Sequence, residues 1–168
     1  MMRASLCVGG FLALCYGLVA AGATVALAQD QSAAAPKDTI FARKILMDTI
    51  GHNMDELEEM ARTGQPIDLA DSREHADTIS VMLMAFPHLF PQSTNQWRPS
   101  VERDPARDTF ASPNVWTNYA DFYRQAAATA KLAYRTSRAK QESDFKSSMA
   151  SLRTACDSCH AAYLKTDQ

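Results

Sequence analysis

Cys156-Asp157-Ser158-Cys159-His160 is the stretch from which the rest of the chain is read. A C-x-x-C-H run is the attachment signature of a c-type haem: each thiol adds to a vinyl group as a thioether, and the adjacent imidazole is left beside the iron. At about 100° per residue, positions i, i+3 and i+4 share one helical face, so one helix can offer all three groups to one porphyrin. Only Ala161 to Gln168 follow, and none of them is suited to reach the far side of the iron. A distal ligand is therefore expected from earlier in the chain.

Upstream, Phe145, Met149, Leu152, Cys156, Cys159 and Tyr163 keep a 3,4 spacing, with Ser143 or Asp144 as the expected cap. That spacing is the seam of a packed helix, and here cysteines occupy inward positions that a core residue would otherwise hold. Three further helices are expected. The first starts at an Asp38 or Thr39 cap and carries Ile40, Arg43, Met47, Ile50, Met54, Leu57 and Ala61, ending at Thr63-Gly64-Gln65-Pro66. The second runs from about Asp68 to Phe86, with Leu69, Ser72, Ala76, Ile79, Leu83 and Phe86 inward and Pro87 and Pro91 as its stop. The third opens at Ser112-Pro113, a cap followed by proline at the first helical position, and reaches about Arg138 through Val115, Tyr119, Phe122, Ala126, Ala130 and Ala133. Between them lies a proline-rich connection over 87–111, longer than a helix link needs, with Phe90 and Trp97 expected to anchor it or to form a lid. No strand-like alternation intervenes. The fold expected is all-α: an antiparallel four-helix bundle with the haem inside.

Residues 1–28 read as a secretory leader, with Arg3 in the n-region, an apolar stretch through Phe11-Leu12-Ala13-Leu14 and an Ala26-Leu27-Ala28 cleavage site. Residues 29–37 form a polar, flexible arm and 38–168 the bundle domain. No stop-transfer pattern follows the leader, so no membrane insertion is expected after its removal. Loss of the leader takes away Cys7 and Cys15 and leaves Cys156 and Cys159. A thioredoxin-like dithiol would want a βαβ context, and a zinc site would want further ligands at set spacing, whereas His52, His75 and His88 are scattered singly. A covalent haem uses both thiols and His160 together, and its attachment outside the cytoplasm agrees with an exported, periplasmic protein. Without Arg3, 16 basic residues face 19 acidic ones, a charge of about −3, which excludes the basic stripe of a nucleic-acid binder.

A bundle of this kind ending in C-x-x-C-H resembles the class II c-type cytochromes, the family of cytochrome c′ and its low-spin relative cytochrome c-556. The resemblance spans about Asp38 to Lys165 and lies closer to the low-spin branch. Besides the haem motif it rests on Arg43-Lys44-Ile45-Leu46-Met47 with Gly51-His52-Asn53-Met54, on Leu89-Phe90-Pro91, and on Ser112-Pro113-Asn114-Val115-Trp116. It implies one covalent haem c on Cys156 and Cys159, with His160 as the proximal iron ligand. It also implies Met47 as distal ligand, which would make a low-spin carrier for electron transfer with a redox partner protein. In the other branch the residue at that place does not ligate, and the open iron binds NO or CO. Plain core filling is the alternative for Met47, as for Met54 and Met60. Arg43 falls within an apolar seam, where a charge is costly unless paired. The resemblance offers a haem propionate as its partner, and the alternative is a packed stem with its head in water. One departure stands out: the basic residue the family places four positions after the haem histidine is here Leu164, with Lys165 next. No catalytic residue is expected, because a peroxidase would need polar distal groups where this seam offers methionine and aliphatics. Family members also dimerise through their first two helices, so a homodimer is a further expectation.

Overall fold

The computed structural model describes residues 35–62, 64, 66–98 and 109–165. The leader and residues 29–34 of the arm lie outside the described residues. The elements are α1 (Pro36–Arg62), α2 (Leu69–Ala85), α3 (Asn114–Thr117), α4 (Tyr119–Ser137) and α5 (Glu142–Tyr163), with two 3₁₀ turns at Phe86–Leu89 and Gln92–Thr94. Four long helices form an antiparallel bundle. Among the described residues the only extended pairing is an isolated antiparallel bridge between Ala111 and Leu164.

The start of α1 corrects the expected cap. Pro36 and Lys37 belong to the helix, and Thr39 Oγ1 donates back to Ala35 O at 3.4 Å from within the first turn. Proline at the first helical position loses no hydrogen bond and presets φ, which is why the helix reaches back past Asp38. Gly64, at φ 69°, takes the left-handed conformation that reverses the chain after Arg62. Asp68 then caps α2, its carboxylate accepting from Ala70 N at 2.9 Å and Asp71 N at 3.2 Å. Pro87 does not halt the chain there; the helix tightens into a 3₁₀ turn through Leu89.

The third helix differs from the single expected span. Ser112 offers no side-chain cap: its amide donates to Tyr163 O at 2.8 Å, and its hydroxyl is buried without a partner. The helix opens as expected beside Pro113, but only one turn, α3, forms before Asn118 breaks it at φ −122°, ψ 39°. Helix α5 begins at Glu142, so the expected caps Ser143 and Asp144 lie inside it; Gln141 flanks it without a side-chain cap, and Glu142 Oε1 accepts from Ile67 N at 3.1 Å.

The expected seams are the buried ones except at Tyr119, which is 38% exposed because the chain breaks at Asn118 and turns its ring outward. Ile50, Met54 and Leu57 of α1 meet Ala76, Ile79 and Leu83 of α2, Ala130 and Ala133 of α4, and Phe145 and Leu152 of α5 in one core. Burying each larger side chain contributes about 1.5–3 kcal/mol. A second cluster joins Phe90, Val115, Phe122 and Tyr163, with Phe86 and Trp116 against it. Phe90 is thus a core residue, edge-on to Phe122 at 4.9 Å and to Trp116 at 5.8 Å. Trp97 is 37% exposed and is not among the residues lining the cavity described below, and residues 99–108 of the connection lie outside the described residues.

Candidate functional site

Between α1, α4 and α5 lies a cavity of about 560 Å³, within the range of small-molecule and cofactor sites. Met47, Ile50 and Met54 line it from α1, Phe122, Ala126 and Thr129 from α4, and Cys156, Cys159 and His160 from α5. The space exists because α4 presents Ala126 and Thr129 where larger residues would fill it. Its rim carries Lys44, Asp48, His52, Asp55 and Arg153. His52 is exposed and its Nδ1 lies 3.0 Å from Asp48 O, so it stands at the rim as a surface residue.

Cys156 and Cys159 are half-buried and one helical turn apart on the cavity wall. Burial pushes both thiols upward, Cys159 to about 11. His160 is pulled below its ordinary value, first by burial and then by the positive charge of Arg153. A neutral imidazole is the form that binds a metal.

Met47 is half-buried and faces the cavity from α1, packed against the edge of the core, whereas Met54 keeps 3% of its exposure and is part of the core itself. One turn before Met47, Arg43 is 3% exposed and is the one buried charged side chain among the described residues. Its Nη1 donates to Thr94 Oγ1 at 3.0 Å and to Leu89 O at 3.4 Å. Its guanidinium carbon lies 4.3 Å from the Phe90 ring centre and 5.7 Å from that of Trp116. Burial lowers Arg43 to about 10, so it stays cationic at neutral pH. Yet Nε and Nη2 are buried with no partner. A buried charged group with unmet donors beside an apolar cavity fits an anionic, largely apolar cofactor that enters the cavity. The residues present therefore suit a haem.

Three stretches noted in the sequence converge here: Arg43 to Met47, Leu89-Phe90-Pro91, and the segment ending at Trp116, whose Nε1 donates to Pro91 O at 3.3 Å. Sequence reasoning missed two participants. Thr94 gives no signal, being one hydroxyl in a polar loop. Arg153 did give one, standing seven residues before His160 on the same face of α5; it pairs with Asp157 at 2.8 Å and with Glu58 of α1 at 3.4 Å.

Among the described residues no helix is long and apolar enough to cross a membrane, and none gathers three or more His, Cys, Asp or Glu side chains for a metal ion. The family profile described as cytochrome c′ matches residues 38–164. A curated cytochrome c-556 of Agrobacterium fabrum is 26% identical over 153 residues, covering 90% of each chain. Two solved structures share the fold. The NMR-validated model of oxidised R. palustris cytochrome c556 has a TM-score of 0.65 at 24% identity, covering 78% of this chain and 98% of that one. Cytochrome c′ from Thermochromatium tepidum has a TM-score of 0.68 at 19% identity, covering 79% and 98%. With its profile matched across the whole bundle, the chain belongs to the cytochrome c′ family: it is a class II c-type cytochrome, carrying one covalent haem c for electron transfer or gas binding.

Proposed function

We propose that the chain is a periplasmic, low-spin electron carrier, exported by residues 1–28 and folded as a bundle from Pro36 onward. Cys156 and Cys159 hold the haem as thioethers, His160 is the proximal ligand and Met47 the distal one. The observation that carries this reading is that Met47 and His160 line one cavity from two different helices. Met54 lines the same cavity, but its place in the α1–α2–α5 core leaves it less free to turn toward an iron. When bound, the haem would supply a one-electron couple, which ligation by a thioether and an imidazole would bias toward the ferrous form.

The chain's residues do the rest. Ile50, Leu83 and Phe122 keep water from the cavity, Arg43 offers its spare donors to a haem propionate, and Met47 closes the distal position to outside ligands. The α1 residues nearest the core, Met47, Ile50 and Met54, are apolar, and the ionisable Lys44, Asp48, His52 and Asp55 stand at the rim, an arrangement that favours electron transfer over substrate turnover. A homodimer through α1 and α2 is supported by Phe41, Ile45, Val81 and Met84, which are 64%, 50%, 70% and 46% exposed.

The test is absorption spectroscopy of the protein expressed with its leader in a host that matures c-type haem. Ferric and ferrous spectra are compared before and after CO, for wild type, Met47→Ala and Met54→Ala. A low-spin wild type and Met54→Ala, both indifferent to CO, with a high-spin, CO-reactive Met47→Ala, is the expected result. A wild type that is high-spin and takes CO readily overturns Met47 ligation and makes the protein a binder of NO or CO.

A further inference from the structure

Arg43 is held on three sides. Its Nη1 has two hydrogens, and both are engaged, by Thr94 Oγ1 and Leu89 O. One flat face is covered by Phe90. The Nε and Nη2 edge remains, buried and unpartnered, and that edge is the fork matching the two oxygens of a carboxylate. Whether it points into the cavity depends on what fixes the opposite corner, and that is Thr94.

Thr94 is 0% exposed. Its hydroxyl proton goes to Pro91 O at 2.8 Å, which leaves a lone pair for Arg43 Nη1 at 3.0 Å, and its own amide donates to Pro91 O at 2.9 Å. The hydroxyl therefore has one orientation, set by the 3₁₀ turn, and is polarised toward accepting. A valine keeps the shape and loses the acceptor, while a serine keeps the acceptor.

We propose that Thr94 is a positioning residue for the haem: by anchoring Nη1 it aims the Nε/Nη2 fork of Arg43 at one haem carboxylate, and so would hold a positive charge at a set place in the haem site. The inference rests on the haem placement above. A fixed buried cation favours the ferrous form, so loosening it lowers the midpoint potential. The experiment is spectroelectrochemical titration of the matured holoprotein for wild type, Thr94→Val, Thr94→Ser, Arg43→Leu and the double variant Arg43→Leu/Thr94→Val.

Thr94→Val is expected to lower the potential by part of the Arg43→Leu shift, Thr94→Ser to restore the wild-type value, and the double variant to match Arg43→Leu alone, since Thr94 then has nothing to position. Thr94→Ala supplies the same reading if valine prevents folding. An unmoved potential in Thr94→Val, or additive shifts in the double variant, overturns the role of Thr94. Spectra of the same samples keep the two readings apart. A wild type lacking covalent haem overturns the haem placement, whereas a normal spectrum with an unmoved Thr94→Val potential overturns only the positioning role.

Discussion

The Arg43 guanidinium carbon lies 4.3 Å from the centre of the Phe90 ring, so the bundle's one buried cation among the described residues rests on an aromatic face across 47 residues of chain. The stacking offsets only part of the cost of desolvating the charge, because two of its nitrogens lack partners. In a haem-free background, Cys156→Ala/Cys159→Ala, Arg43→Met is expected to stabilise the bundle by about 1 kcal/mol, since an unmet buried donor costs about 1–3 kcal/mol. Thr94 Oγ1 is not orphaned by the change, because it still donates to Pro91 O. Urea titrations of the two proteins measure the difference, and a clear loss of stability in Arg43→Met contradicts it.

Phe122 is 2% exposed, contacts Phe86, Phe90, Tyr119 and Tyr163, and also lines the cavity. Phe122→Ala is expected to cost about 3–5 kcal/mol. Thermal melts of the holoprotein should show it as a lowered midpoint. A change under about 1 kcal/mol would mean that the aromatic cluster collapses to fill the gap.

Tyr163 Oη donates to Asp121, whose carboxylate is held below its ordinary value chiefly by that bond, while Tyr163 is pushed up to about 12, first by burial and then by Asp121. The depressed carboxylate stabilises the fold above its unfolded pKa near 4, and this is lost as pH falls through the folded value. The raised phenol contributes fully below its unfolded pKa near 10, and this is lost as pH rises toward about 12. Wild type should thus exceed Tyr163→Phe by a constant margin from about pH 5 to 9 that narrows at both extremes. A margin independent of pH down to the acid transition would sink the assignment.

Arg153, 46% exposed, links α5 to Glu58 of α1 beside the cavity mouth. Arg153→Gln should change stability by less than about 1 kcal/mol, as screened pairs do. Its positive charge is nonetheless felt at His160, so the midpoint potential should fall. Unchanged redox titration curves would show that solvent screens that charge from the iron.

Helices α1 and α2 run antiparallel, as the 2.9 Å contact of His75 Nδ1 with Asn53 Oδ1 and the reach of Arg43 to Leu89 show. Phe41 and Ile45 therefore lie at the same end as Val81 and Met84. Phe41→Glu/Val81→Glu is expected to turn a sedimenting dimer into a monomer while shifting the melting free energy by only about 0.5 kcal/mol per site. A wild type that sediments as a monomer at all concentrations removes the proposed dimer.

The bundle was legible because α1 and α5 carry uninterrupted 3,4 seams, and a seam is a local property. Arg43 showed itself the same way, as a charge in an apolar row. What surrounds it did not: Thr94 and Leu89 stand 51 and 46 residues away, and only the folded loop brings them near. Ser112-Pro113 marked the helix start correctly, since Thr117 N donates back to Pro113 O, but the break at Asn118 and the tie of the Ser112 amide to Tyr163 O carried no local signal.

Ala126, Ala130 and Ala133 keep 2%, 1% and 0% of their exposure on α4, and Ala126 also borders the cavity. The cofactor's place is thus encoded partly as missing volume where Ala126 and Thr129 face the cavity. In this architecture the porphyrin is in effect the largest side chain of the core, one that translation does not supply, and the native packing is complete only after a chemical step that follows synthesis.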